Sequence, residues 1–476
     1  MAIHGHFYQP DRRDPFSGDV PPDPAAGPSG NWNERITADC YRPNAEVGNF
    51  GRIGWDLGPA LARWLREAHP DVYASIVAQE DGNNGMALPW HHPILPLASA
   101  RDRRTEIRWG LRDFELRHGH PAAGLWLPET AVDMLTLRIA AEEGVRYTIL
   151  APWQAGVDHG LDLRRPYRVE LGAGHSLVVV FYDGALSGEI SFDPGATVDA
   201  PRFVREAIAP RLATPLADGS PGLVLIASDG ELYGHHQEFR EYFLRHVTQD
   251  GAGHSRERGV EVAPLGTLLA RPPASAVPIM TIRERTSWSC HHGVARWCAE
   301  CADAADGRWK QPLRAGLDRL AAQIDAVCAI EAAELGVDLW AARDAYVEVA
   351  GGFVEPGEIV ERALAESPAG VPRAAARLAR GADAAARLGR LLAAQSSRLA
   401  MFASDAWFWD DPTRPETAQA LRFAAHAVRL VDRRPGCPLE RDLVADLAAL
   451  RAPAGGPDGA ALYRAALRQV DQPEPA

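Results

Sequence analysis

Two short stretches of the chain each set a carboxylate where an apolar run stops. In Gly124-Leu-Trp-Leu-Pro-Glu129, the run Leu125, Trp126, Leu127 enters Pro128, which keeps the backbone extended just before Glu129. Leu223-Val-Leu-Ile-Ala227 reads as a core strand, and Asp229 lies just past its end, opening Asp-Gly-Glu231-Leu-Tyr-Gly-His235-His236. Side chains at the C-terminal ends of parallel barrel strands converge on one mouth. Two carboxylates there, ringed by His and Trp, can cleave a glycosidic bond: one attacks or stabilises the anomeric carbon and the other protonates the leaving oxygen. Each acid alone has a plainer explanation. Glu129 fits a first-turn helix acid, and Asp229 fits an Asp-Gly turn. Two acids, a Tyr and two His within eight positions are more titratable chemistry than a turn needs.

Other clusters suit the same chemistry. His4 and His6 alternate on the first strand and face one side, where ring nitrogens bind sugar hydroxyls or a metal. His92, in His91-His92-Pro-Ile-Leu-Pro96, lines the pocket on this reading, while His91 fits structural packing almost as well. Trp126, Trp288, Trp407 and Trp409 offer aromatic faces to the C–H surface of a sugar, and Asp405, Glu231 and His235 offer partners for its hydroxyls. Phe408 fits helix packing. Cys290, His291, Cys298 and Cys301 include a Cys-x-x-Cys, but a second close pair is missing, so reduced thiols buried on a helix are favoured over zinc. No metal or cofactor is assigned to the site.

The elements must carry Glu129 and Asp229 to one place across a hundred positions of chain. Short strands at 2–7, around 125, and at 147–151, 176–182 and 223–227 alternate with helices at 59–67, 101–118 and 132–143, with a further short element at 72–79. Residues 9–33 are too rich in Pro, Gly and Asp for regular structure. The alternation argues for a parallel α/β barrel or a doubly wound sheet. The Pro-rich segment 271–278 reads as a boundary. Beyond it, 313–336, 339–349, 373–402, 417–431 and 439–450 have helical composition, and the tail from 452 ends in a short helical stretch and a frayed terminus.

At 476 residues the chain is long enough for two or three domains, and 46% hydrophobic with 24% charged residues is ordinary for a globular protein. A net charge of −13 argues against nucleic acid as a partner. Lys310 is the only lysine among 50 basic residues, which fits coding bias. No apolar run approaches the ~20 residues of a membrane span, and Met1-Ala-Ile-His lacks a basic-then-apolar leader. Six scattered Cys make no disulfide framework. A cytoplasmic protein with reduced thiols and no membrane partner is expected, with its oligomeric state open.

His4-Gly-His6…Gln9-Pro10, Trp32-Asn-Glu-Arg35…Cys40-Tyr-Arg-Pro-Asn44, His92-Pro-Ile-Leu-Pro-Leu97, Gly124-Leu-Trp-Leu-Pro-Glu129, Asp229-Gly-Glu-Leu-Tyr-Gly234 and Phe402-Ala-Ser-Asp-Ala-Trp-Phe-Trp409 occur in this order. Together they resemble glycoside hydrolase family 57 over essentially the whole chain, most of all a bacterial branch with a helical C-terminal extension. The resemblance implies an α/β fold: an incomplete (β/α)7 barrel over 1–270, then an all-helical region over 271–476 that completes the active-site cleft. It implies retaining hydrolysis or transfer on α-linked glucan or a related oligosaccharide, with Glu129 as nucleophile and Asp229 as general acid/base. On the same basis His4, His6, His92 and Asp405 shape the sugar subsite. Double displacement then calls for carboxyls about 5–5.5 Å apart and for a buried Asp229 whose pKa is raised, with Glu129 and Glu231 beside it. The family pattern is altered between His6 and Gln9, and His235-His236 stand where several relatives place Trp, so substrate and acceptor preference stay open. Two other classes fit the residues: a metal-dependent polysaccharide deacetylase using Asp229 with His4, His6 or His92, and a catalytically silent carbohydrate-binding protein.

Overall fold

The computed structural model describes residues 1–250, 259–271, 276–366, 382–431 and 438–468. The chain forms two compact units. The first takes in Met1–Gln9, Pro22–Trp90 and Gly110–Ser289, and the second Pro10–Pro21, His91–Trp109 and Cys290–Ala476.

Apolar strands build the first unit. β1 (Ala2–Phe7), β2 (Gly54–Leu57), β3 (Gly85–Met86) and β7 (Leu225–Asp229) form a parallel sheet in the order β3-β2-β1-β7. β4 (Tyr147–Leu150), β5 (Tyr167–Gly172) and β6 (His175–Phe181) form a second sheet in the order β4-β6-β5. The segment at 124–126 joins the two, with Ala87 N–H donating to Gly124 O at 3.0 Å and Leu125 N–H to Tyr147 O at 3.1 Å. The parallel run is thus β7, β1, β2, β3, the Leu125 segment, β4 and β6. Antiparallel β5 covers the other edge of β6, so the ring closes only at the strand end, where Asp183 N–H donates to Leu225 O at 2.8 Å. This is the incomplete (β/α)7 barrel. Its interior packs Ala2, Met86, Leu88, Trp126, Ile149, Val180, Leu225 and Ala227 into one buried cluster. In β5 buried Tyr167, Val169 and Leu171 alternate with exposed Arg168 and Glu170, as an edge strand with one wet face requires.

The helices expected around these strands occur at Pro59–Ala68, Pro70–Ala78, Ala100–His118 and Met134–Glu142. β7 runs two residues beyond the expected stop, so Asp229 is the last residue of the strand. The second unit is helical, with its long helices at Lys310–Glu334, Ala382–Ala400 and Pro415–Val431 and shorter ones at Pro356–Ala365, Pro438–Leu447 and Gly459–Arg468. The helix expected over 339–349 divides at Tyr346 into Leu339–Ala345 and Val347–Ala350. Residues 272–275 of the expected boundary, 373–381 of an expected helix and the tail from 469 lie outside the described residues. Among the described residues, no helix is long and apolar enough to cross a membrane.

Candidate active site

Strand register sets the first three polar side chains. His6 of β1 lies opposite Asp56 of β2 on one side and Asp229 of β7 on the other. Register partners share a face, so Asp56, His6 and Asp229 stand in a row at the C-terminal end of the sheet. Asp56 accepts hydrogen bonds from both histidines, His4 Nε2 at 2.9 Å and His6 Nδ1 at 2.7 Å, and all three residues are buried. Trp126, itself fully buried, stacks on both rings at 4.9 and 5.1 Å between centroids.

The two rings titrate in opposite directions. Burial lowers the pKa of His4 more than Asp56 raises it. Burial also opposes the cation at His6, but the charge and hydrogen bond of Asp56, with Asp229 and Glu231 behind it, lift its pKa to about 9. Against its own desolvation, Asp56 is held below the usual carboxylate range by His6 and His4. The row therefore holds an ion pair between His6 and Asp56, with His4 neutral and fully enclosed.

Glu129 is positioned differently. It has left-handed backbone angles, φ 57° and ψ 21°, and Thr130 follows at φ 47°. Such angles are uncommon outside glycine, and at functional sites cost on the order of 1–3 kcal/mol each. Gln154 holds the turn, accepting from Thr130 Oγ1 at 2.9 Å and donating to Thr130 O at 2.8 Å. Glu129 O accepts from Trp288 N–H at 3.0 Å. Its carboxylate Oε2 accepts from Trp288 Nε1 at 2.9 Å and from Ser289 Oγ at 2.6 Å. Burial raises the Glu129 pKa, the Ser289 and Trp288 hydrogen bonds pull it down, Asp229 pushes it up and His6 opposes. The first-turn explanation of Glu129 does not apply: Asp133 caps the following helix through Thr136 N–H.

Asp229 is exposed, where a buried carboxyl was expected; the buried acid is Glu231. Glu231 Oε1 accepts from Tyr41 Oη at 2.6 Å and from Tyr8 N–H at 3.1 Å. Burial, with Asp229 adding to it against the Tyr41 hydrogen bond, raises the Glu231 pKa to about 7. The reason is local. Residues Gly230–Leu232 form one tight turn against β1, where a Cβ on Gly230 would stand 2.4 Å from Phe7 Cδ1. That turn carries Glu231 inward and leaves Asp229 at the rim.

The first unit thus brings Glu129, Asp229, Glu231, His4, His6, Trp126 and Trp288 together. Trp288 lies edge-on to Trp126 at 5.1 Å and to His6 at 6.2 Å. His235 is partly exposed and pairs with Asp39 at 3.0 Å, with its ring edge-on to Trp32. In the second unit, buried His92 has a left-handed backbone (φ 55°), and its Nδ1 lies 2.7 Å from Ser404 Oγ. Asp405 opens the short helix Asp405–Phe408; Trp407 is buried and Trp409 exposed. His91 pairs with Glu106 at 2.7 Å, a structural role.

Sequence reasoning missed Asp56, Tyr41 and Ser289. Asp56 had a signal, since Trp55-Asp-Leu-Gly-Pro59 places an acid at a strand end directly before a Pro-initiated helix. Ser289 is the direct neighbour of Trp288 in Thr286-Ser-Trp-Ser289. Tyr41 lies on the irregular turn Thr37–Tyr41, and its signal was its place in Cys40-Tyr-Arg-Pro-Asn44.

A broken parallel barrel with acids at its strand ends defines a glycoside hydrolase type of enzyme. Residues 36–262 match the model of glycosyl hydrolase family 57. Residues 306–471 match a domain of unknown function, DUF3536. No curated protein sequence matches the chain. Among solved structures, an exo-type maltose-forming amylase from Pyrococcus sp. ST04 is similar, at 16% identity and TM-score 0.72 over 98% of this chain and 88% of that one. So is a family 57 branching enzyme from Thermococcus kodakaraensis, at 16% identity and TM-score 0.58 over 98% and 94%. A 4-alpha-glucanotransferase from Thermococcus litoralis aligns at 16% identity and TM-score 0.54 over 90% of this chain and 59% of that one.

Proposed function

We propose that the protein cleaves or transfers α-linked glucosyl units by double displacement with retention. Ionised Glu129 attacks the anomeric carbon while protonated Asp229 gives its proton to the departing glycosidic oxygen, leaving a glycosyl ester on Glu129. Asp229 then takes the proton of a water or an acceptor hydroxyl, whose oxygen displaces Glu129. One observation carries this reading: Glu129 is fixed on a strained backbone by Trp288 and Ser289, and its carboxyl feels the charge of Asp229. Glu231, neutral below about pH 7, spares Asp229 a second adjacent anion.

The family match over residues 36–262 and the amylase, branching enzyme and glucanotransferase likenesses support an α-glucan or related oligosaccharide as substrate. The roles of His92 and Asp405 rest on the family resemblance, and those of buried Trp407 and exposed Trp409 on the fit of aromatic faces to sugars. A cytoplasmic location fits Cys40, Cys290, Cys298, Cys301 and Cys328 standing outside any disulfide. The deacetylase reading has less support, because His4 and His6 both direct a ring nitrogen to Asp56 rather than converging with Asp229 on a cation.

A fluorinated α-glucosyl fluoride that accumulates the intermediate tests the proposal. Peptide mass mapping should place the adduct on Glu129, and NMR of the products should show the α-anomer first. A β-anomeric first product, or no adduct on the intact chain, overturns it.

A further inference from the structure

The sequence reading of the cysteines is changed by the structure. Cys298 turns away, with its Sγ 3.6 Å from Val294 O, and His291 is almost wholly exposed. Four other groups converge in the second unit: Cys290, His292, Cys301 and Asp303, whose donor atoms all lie within 4.8 Å of one another. They do not sit on a helix. The segment carries only the single 3-10 turn Ala295–Trp297 before the helix Lys310–Glu334 begins. We propose that Cys290, His292, Cys301 and Asp303 hold a structural zinc ion.

The spacing is that of a coordination shell. Cys290 Sγ lies 3.5 Å from Cys301 Sγ, Cys301 Sγ 3.3 Å from His292 Nδ1, and His292 Nδ1 3.3 Å from Asp303 Oδ2. Zinc bonds of about 2.0–2.3 Å at tetrahedral angles put ligand atoms about 3.3–3.8 Å apart. A disulfide would bring the sulfurs to about 2.05 Å. Two thiolates, an imidazole and a carboxylate suit zinc over calcium or magnesium, which take oxygen ligands. Four protein donors leave no open position, which marks the site as structural. On binding, the two thiols release their protons to solvent and both sulfurs bond to the metal.

A neighbour supports the assignment by charge. Zinc with two thiolates and a carboxylate carries one net negative charge. Lys310, the only lysine of the chain, is fully buried; its Nζ has no hydrogen-bond partner and lies 5.6 Å from the Trp309 ring centroid. Burial and Arg296 push its pKa down to about 8, and Asp410, then Cys301 and Cys290, push it up. A buried ammonium needs a compensating anion, and an anionic zinc centre would add to the charge of Asp410 in supplying it. The ion also gives a loop of this length, with little regular structure, a reason to hold one shape.

The test uses the full chain, purified without chelator and desalted. Elemental analysis should find on the order of one zinc per chain. Cys290→Ser and Cys301→Ser should each lose it at least tenfold, while Cys298→Ser and His291→Ala retain it. Should the serine variants fail to fold, the unaltered chain still decides: removing zinc with a chelator under native conditions should expose two further reactive thiols, and cobalt in its place should give the visible absorption of a tetrahedral dithiolate site. A metal-free chain with both thiols already reactive, a Cys290–Cys301 disulfide, or zinc retained after both are replaced overturns the proposal.

Discussion

Glu129 carries a left-handed backbone and a carboxyl whose pKa is raised by burial, and Trp288, Ser289 and Gln154 hold both in place. Glu129→Gln keeps the shape and removes the nucleophile. It should lower kcat by about four orders of magnitude or more, with the thermal midpoint within a few degrees of the unaltered protein. Ser289→Ala removes a 2.6 Å hydrogen bond to the ionised form. Such a bond contributes about 1.5–3 kcal/mol, and about 1.4 kcal/mol corresponds to one pKa unit. The acid limb of the kcat/KM profile should therefore move up by one to two units; an unmoved limb would assign it to another group. Glu231 gives a stability signature. Its pKa rises from 4.5 to about 7 on folding, so its contribution is full below 4.5 and is lost as pH rises through 7. Urea titrations should show about 3 kcal/mol lost across that window, and Glu231→Gln should abolish the loss.

β2 shows how a short element hides a functional residue. Its four residues, Gly-Trp-Asp-Leu, include a glycine and an acid, and their one signal is the helix start at Pro59 that follows them. They are extended because β1 and β3 flank them, and only then does Asp56 meet His4 and His6. By contrast β4 and β6 are continuous apolar runs and were legible, as was the helix face of Leu61, Trp64 and Leu65. Asp229 was legible as a strand-end acid, but its exposure was not, because the packing of Gly230 on Phe7 depends on a residue more than two hundred positions away. Asp56→Asn removes the carboxylate that both His4 and His6 bond and should cost about 3–5 kcal/mol. The sign with pH is specific. His6 is raised from 6.5 to about 9, so in the unaltered protein its stabilisation is full below 6.5 and is lost as pH rises through 9. Denaturation at pH 6, 7.5 and 9.5 should show that decline, and Asp56→Asn should flatten it.

Taken as a whole, the chain is legible where composition dictates local structure and opaque where distant charges meet. The second unit shows this: its helices follow from Ala, Leu and Arg at helical spacing, yet the ion network among them does not. Asp102 accepts from Arg343 Nη1 at 3.0 Å and from Arg398 Nη1 at 2.7 Å, across 241 and 296 positions. Arg398 also reaches Asp325 at 2.9 Å, and Arg343 reaches Thr105 Oγ1 at 2.7 Å. Burial raises the Asp102 pKa, but Arg398 and Arg343 outweigh it and the net direction is down. Stability from this carboxylate is thus present above its ordinary range and is lost as pH falls through the depressed value. Asp102→Asn leaves buried Arg343 without its carboxylate partner and Arg398 with Asp325 alone, and should cost about 3–5 kcal/mol, because broken buried pairs leave uncompensated charge. Replacing all three, with Arg343→Met and Arg398→Met added, removes the stranded guanidinium charges and leaves only the partly exposed Asp325 without its arginine, and should recover most of that loss. Calorimetry of the three proteins at neutral pH separates the cases. Recovery assigns the penalty to stranded charge. An Asp102→Asn midpoint equal to that of the unaltered protein would mean that solvent already reaches the arginines, and the network would then contribute little to stability.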